Sequence, residues 1–291
     1  MCHALAACLG RTGLKRPKLA YVRPLEYFSS SSYGQFHENP VEFYINRLGP
    51  EEFKSKREPQ GLAQAMGIGF DEAVKAIIEN RPLNWEGIEV ENKDEVIKQC
   101  LALSMVYTSC GALNKVIADS GQILGCEVEV TGLAPGTDVP LRGFVDLVMH
   151  PTWLTRSALD WKVYGGGAPQ TQRSPNKGYL RRYTEGQLLE GKKAVHDLCD
   201  EPMETLNEKW ARQLAMYHWM LNPGRPIDRC PGAIDQITFS RGVVTITQYR
   251  TWISKEYQEK LRDGLVESWD IVQQERVVPS DLEPEFLRLL M

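Results

Sequence analysis

The sequence predicts a single elaborated α/β domain, and three observations carry that expectation. The chain has 291 residues with 42% hydrophobic and 25% charged side chains, the balance of an ordinary globular protein with a sizeable core. Apolar residues recur at helical spacing over 64–80, 94–120, 208–221 and 255–274. Between these stretches lie runs rich in β-branched residues at 123–130, 143–163 and 236–248, bounded by Gly and Pro. No internal repeat, heptad pattern or low-complexity segment interrupts the order.

Charge and cysteine usage narrow the function classes. A net charge of −4 gives no global signature of nucleic-acid binding, so any such contact must rest on a local basic surface. The seven cysteines are scattered without a C-x-x-C pair, and no secretory signal precedes them, which predicts reduced thiols in the cytoplasm. No run approaches the roughly 18–20 apolar residues of a membrane span. Leu5-Ala6-Ala7-Cys8 looks like a lipoprotein cleavage box but lacks a basic, apolar lead, and is read as chance. Residues 1–20, with Arg11, Lys15, Arg16 and Lys18, are expected to form a loosely held arm before a domain spanning 21–291.

In chain order, Ser29–Ser32 offer N-caps and the residues after Pro40 suit a short helix that ends at Gly49-Pro50. Gln64–Asn80 reads as an amphipathic helix with Met66, Phe70, Val74 and Ile77 or Ile78 on its apolar stripe. Asp71 borders that stripe. It either shares a metal with other carboxylates or faces solvent near the helix start, where its charge suits the dipole. Asp94–Ser120 predicts a second long helix closed by Gly121. The strand from Ile123 puts Glu127 and Glu129 on one face, as part of an acidic site or as a wet sheet surface.

The stretch Gly143–Val163 is the richest in chemistry. Gly-Phe-Val-Asp146 and Leu-Asp160-Trp-Lys162 lie in two apolar strands, with His150–Arg156 as the turn between them. A hairpin centred near Trp153 places Asp146 opposite Asp160, and puts Asp160 and Lys162 on one face with Trp161 turned away. Opposed carboxylates cost on the order of 0.2–1 kcal/mol as a cross-strand pair, so two of them suggest a cation between. Mg²⁺ takes one or two carboxylates plus water and phosphate, and an adjacent lysine can orient water or stabilise phosphate charge. A surface ion pair is the plain alternative for Asp-x-Lys.

Gly165-Gly166-Gly167 lets the chain leave the sheet and matches neither a P-loop nor a dinucleotide fingerprint. A basic insert at about 165–205 follows. It carries Arg173, Lys177, Arg181, Arg182, Lys192 and Lys193, interleaved with Tyr179 and Tyr183. This is the candidate phosphate-contacting, base-stacking surface, against the alternative of a solvated loop and helix. In Glu208–Leu221, Gln213 and Tyr217 are four apart and share a helix face. Gln236–Gln248 reads as a β-hairpin turning at Arg241-Gly242, followed by a final helix at 255–274 and a tail with Pro279 and Pro284.

Taken in order, these segments resemble the RecB-like branch of the PD-(D/E)XK nuclease superfamily. The motifs are Ser29–Leu48 with Asn39-Pro40 where relatives have Cys-Pro, Met66–Asp71, Gly143–Asp146, Leu159–Lys162 and Gln213-x-x-x-Tyr217. The last three are the specific ones, and the set spans about two-thirds of the chain. The resemblance implies a restriction-endonuclease-like core: a mixed central β-sheet flanked by helices. It implies Mg²⁺ or Mn²⁺ held by Asp146, Asp160 and the Trp161 backbone carbonyl, with Asp71 where relatives use His. Lys162 would place the attacking water, and Gln213 and Tyr217 would position DNA or the catalytic core. Some relatives hold an iron–sulfur cluster through late cysteines; only Cys199 and Cys230 lie late here, so no cluster is expected. The long gap from Lys162 to Gln213 departs from the family pattern.

The expected function is therefore metal-dependent hydrolysis of DNA by an exonuclease that processes ends for recombination or repair, in a prokaryotic or phage setting. A structure-selective endonuclease of the same fold, or a non-catalytic binding module, are the alternatives. DNA is the expected partner. A recombinase or helicase is the kind of protein partner such nucleases serve, and the residues name neither a partner nor an oligomeric state.

Overall fold

A computed structural model describes residues 24–49, 59–152, 155–165, 179–184, 187–189, 201–240 and 243–273. Helices α1 (Ser30–Glu38) and α2 (Pro40–Phe43, continued by a π turn over Tyr44–Leu48) come first, then α3 (Leu62–Glu79), α4 (Lys93–Ser109) and α5 (Ala112–Asp119). Strands β1 (Ile123–Leu133), β2 (Pro140–Thr152), β3 (Thr155–Gly165), β4 (Tyr179–Thr184) and β5 (Gln187–Leu189) follow. The chain closes with α6 (Met203–Leu206), α7 (Glu208–Leu221), β6 (Cys230–Ser240), β7 (Val243–Ile253) and α8 (Lys255–Gln273). The strands form one sheet in the order β1-β2-β3-β6-β7-β4-β5. Among the described strands β3 and β6 pair in parallel and the other neighbours are antiparallel, so the sheet is mixed.

Helices cover both faces of the sheet, and each layer has its own core. Phe28, Phe43, Val145, Trp210, Leu214 and Leu265 pack on one side, with α1, α2, α7 and α8. Met66, Phe70, Val96, Tyr107, Leu147 and Trp161 pack on the other, with α3, α4 and α5. The α3 stripe of Met66, Phe70 and Val74 is buried as its periodicity predicts, and Asn80 ends the helix in the left-handed conformation. Among the described residues no single helix is long and apolar enough to cross a membrane.

Four expectations need correction. The predicted helix over 94–120 is two helices meeting at 62°, because Gly111 sits at φ 85° and starts the second one. The serine run caps and enters a helix of its own: Ser29 accepts from the Ser32 N–H and the Ser32 hydroxyl accepts from the Ser29 N–H, a reciprocal cap. The turn expected over 150–156 is largely strand, since β2 runs to Thr152 and β3 starts at Thr155. The basic insert is not a loop and helix over 179–184; that stretch pairs with β7 as an outer strand, carrying Arg181 and Arg182. Of β4 and β5 the backbone alone is described, and Arg173, Lys177, Lys192, Lys193, the arm over 1–20 and the tail lie outside the described residues.

The sheet is forked where the motifs lie. The β2–β3 ladder ends at Leu147↔Leu159. Beyond it β3 continues beside β6, while β2 takes a new neighbour: Phe28 N–H donates to the Pro140 carbonyl, and Arg142 N–H donates to the Phe28 carbonyl. At the same level both β1 and β2 reverse their alternation. Val128 and Val145 face the α7 core, yet Cys126 and Leu147, two residues away along each strand, face the α3–α4 core. Glu127 makes the reversal by taking φ 50°, a left-handed value that a non-glycine rarely holds. In the ladder Glu127 stands across from Asp146.

Candidate active site

The ladder pairs Leu147 with Leu159, so the register is the one that a hairpin centred near Trp153 requires, with Asp146 opposite Asp160. The two strands part just there, and Asp146 Oδ2 accepts from the Trp161 N–H at 2.9 Å in place of a ladder bond. A residue's N–H and C=O point to the same edge of a strand, so the Trp161 carbonyl is directed into the fork as well. Alternation turns Asp160 and Lys162 toward α7 and Trp161 toward α4.

Asp160 is 2% exposed and needs partners for its charge. Lys162 Nζ forms an ion pair with its Oδ2, and Gln213 Nε2 donates to its Oδ1 at 2.9 Å. Lys162 Nζ also donates to Gln213 Oε1 at 3.0 Å, so one amide spans both members of Asp-x-Lys. Gln213 Nε2 lies 2.9 Å from the Tyr217 hydroxyl, which donates to the Phe144 carbonyl. Tyr217 is thus both core and site, clasping α7 to β2 next to Asp146. Burial pulls Lys162 down, but the Asp160 and Asp146 charges more than reverse that, so it is held as an ammonium.

From the opposite layer, α3 reaches the same fork. Asp71 is mid-helix and partly buried, which overturns its reading as a solvated residue near the helix start. Burial pushes its carboxyl up to about 6, with the Asp160 and Glu127 charges adding to the rise. Asp146 is raised well above the carboxylate range by burial first, then by the charges of Asp160 and Asp71. The sequence reading missed Lys75, one turn beyond Asp71, whose side chain is 5% exposed. Its ammonium donates to Asp71 Oδ2 at 2.6 Å and lies 3.6 Å from Glu127 Oε2. The i,i+4 spacing of Asp71 and Lys75 was visible in the sequence. Glu129 is not brought to the site: it pairs with Arg142 at 2.6 Å on the outer part of the hairpin.

Below Trp161 lies a buried polar network with no counterpart in the sequence reading. Trp161 Nε1 donates to the Tyr107 hydroxyl at 3.1 Å, and that hydroxyl donates to Asp235, its neighbour across the parallel ladder from Trp161. Gln248 Nε2 at 2.8 Å and Arg250 at 2.7 Å complete the Asp235 contacts. The network fixes the indole from beneath and thereby the backbone between Asp160 and Lys162.

A divalent cation fits the donors at the fork. Asp71 Oδ1 is buried with no hydrogen-bond partner among the described residues, and Asp146 commits only Oδ2 to the backbone. Among the described residues no three His, Cys, Asp or Glu side chains close on one point. A cation here would take one or two carboxylates, a backbone carbonyl and water, which is the usual Mg²⁺ arrangement.

No protein-family model matches the chain, and no curated protein matches it. Among solved structures, "Crystal structure of SSO0001" aligns at 9% identity over 73% of this chain and 78% of that one, with a TM-score of 0.25. That likeness is too loose to bear on fold or function.

Proposed function

We propose that this protein is a Mg²⁺- or Mn²⁺-dependent deoxyribonuclease with a PD-(D/E)XK core, acting as an exonuclease at DNA ends. One observation carries the reading: Asp146 and Asp160 meet where β2 and β3 part, with Lys162 on the Asp160 face and Gln213 bonded to both members of Asp-x-Lys. A structural ion pair would not require a second and third carboxylate beside it, raised by burial first and by neighbouring carboxylate charge after it.

One or two of Asp146, Asp160 and Asp71, with the Trp161 carbonyl and water, would hold the cation. When bound, it polarises the scissile phosphate and lowers the pKa of a coordinated water. Lys162, kept protonated, serves as a donor that orients that water or stabilises phosphate charge; it is not the base. Gln213 holds Lys162 and Asp160 in register, and Tyr217 locks Gln213 to the Phe144 backbone.

The test is incubation of the purified chain with linear duplex, circular single-stranded and supercoiled DNA in Mg²⁺, Mn²⁺ or EDTA, beside Asp160→Asn and Lys162→Met. Metal-dependent loss of linear DNA alone, reduced by at least about 10²-fold in both variants, is the expected outcome. Cleavage of the circles moves the reading to an endonuclease. A folded wild type that cleaves nothing with either metal leaves a binding module as the better description.

A further inference from the structure

We infer that Lys75 is the resident counter-cation of the acidic fork, sharing its carboxylates with the divalent ion and holding the affinity for that ion low. The inference rests on the nuclease reading only for the presence of a metal. Asp146 lies on the Trp161 N–H beside Asp160, and Asp71 and Glu127 both stand on the Lys75 ammonium, so carboxylate charges gather on both sides of the fork and like charges repel. Lys162 answers Asp160 from the α7 side. On the α3 side the answering charge is Lys75, which bonds Asp71 Oδ2 at 2.6 Å and stands 3.6 Å from Glu127.

A lysine ammonium with a side chain only 5% exposed is costly to bury, and its neighbours are what offset that cost. The arrangement leaves Asp71 Oδ1 without a partner while Oδ2 is tied to Lys75. A divalent ion at Oδ1 would sit beside a positive charge that it does not need to displace but must tolerate. Removing that charge relieves the repulsion and leaves the carboxylates uncompensated, and both effects favour the metal.

The experiment compares wild type, Lys75→Met and Lys75→Arg by Mg²⁺ titration calorimetry and by melting temperature across a Mg²⁺ series. Lys75→Met is expected to bind Mg²⁺ at least about tenfold tighter and to gain more melting temperature from it, starting from a lower value in EDTA. Lys75→Arg, which keeps the charge, is expected to bind as the wild type does. Wild-type or weaker affinity in a folded Lys75→Met overturns the inference. Should Lys75→Met fold only with metal, Lys75→Gln replaces it, and the same tightening is required. Tighter binding without DNA cleavage by either protein sinks the nuclease reading and leaves this inference standing. Absence of Mg²⁺ binding in every variant overturns both.

Discussion

Burial lifts the Asp71 carboxyl from 3.8 to about 6, while Lys75 pulls against the rise. Between those values the folded chain keeps a proton that the unfolded chain has lost, so stability falls as pH rises. The contribution is complete below about pH 4 and gone above about pH 6, and Asp146, raised in the same direction, adds to it. Asp71→Asn holds the neutral form at every pH. Relative to wild type in EDTA, it is expected to gain about 2–3 kcal/mol between pH 4 and pH 7, measured by urea unfolding. A difference that does not change with pH would mean that Asp71 is ionised at no cost and that the fork is wetter than its burial implies. The Asp71 result also separates what was legible at this scale from what was not. Asp146, Asp160 and Lys162 could be read because period-2 alternation places them by local geometry, whereas i,i+4 spacing put Gln213 and Tyr217 on one helix face and only the family resemblance pointed that face at the site. Lys75 obeyed the same spacing, but lysine beside an apolar stripe ordinarily reaches solvent, and only the packing of α3 on β3, with Glu127 of β1 beside it, buries it.

At the scale of elements, the fork depends on how closely α7 lies on β2. Gly143 has no side chain because a Cβ there would come within 2.6 Å of Tyr217 Cε1 and 3.4 Å of Met220 Cε. The Tyr217 ring is not free to swing aside, since its hydroxyl bonds both Gln213 and the Phe144 carbonyl. Gly143→Ala is therefore expected to push α7 outward and to carry Gln213 away from Asp160. We expect a loss of about 1–3 kcal/mol in urea unfolding, with cleavage reduced more than substrate affinity. If cleavage survives undiminished in a destabilised variant, the Gln213 clasp has no part in the chemistry. Elements were legible where a glycine or a period announced them, as in α7 and the β6–β7 hairpin. The reversal of β1 and β2 was not, because Glu127 takes φ 50° without a glycine or asparagine to mark it. Nor was β4, whose partner β7 lies more than sixty residues away in sequence; its arginines and tyrosines suggested a phosphate-contacting surface, or else a solvated loop and helix.

For the whole molecule, charge is the constraint. The chain carries a net −4, and the fork adds a local concentration of carboxylates, so a polyanion approaching the site meets repulsion everywhere except at local basic surface. The sequence offers one candidate: Arg181 and Arg182, in the strand β4 that pairs with β7, belong to a segment that also holds Arg173, Lys177, Lys192 and Lys193. If that segment contacts phosphates, it does so by releasing counterions, which gives a measurable signature. Each duplex phosphate contact adds about 0.9 to the slope of log K against log salt, or about 0.7 for a single strand. A variant with Arg181, Arg182, Lys192 and Lys193 all changed to Ala is expected to bind labelled linear DNA more weakly in EDTA. Its salt slope should be shallower by up to about 3–4 for duplex, read by fluorescence anisotropy from low to moderate salt. The melting temperature serves as the control for folding, since Arg181 and Arg182 lie in a strand. Weaker binding with an unchanged slope would assign the loss to a disturbed sheet edge rather than to phosphate contacts. An unchanged slope and affinity would mean that this segment makes no phosphate contacts.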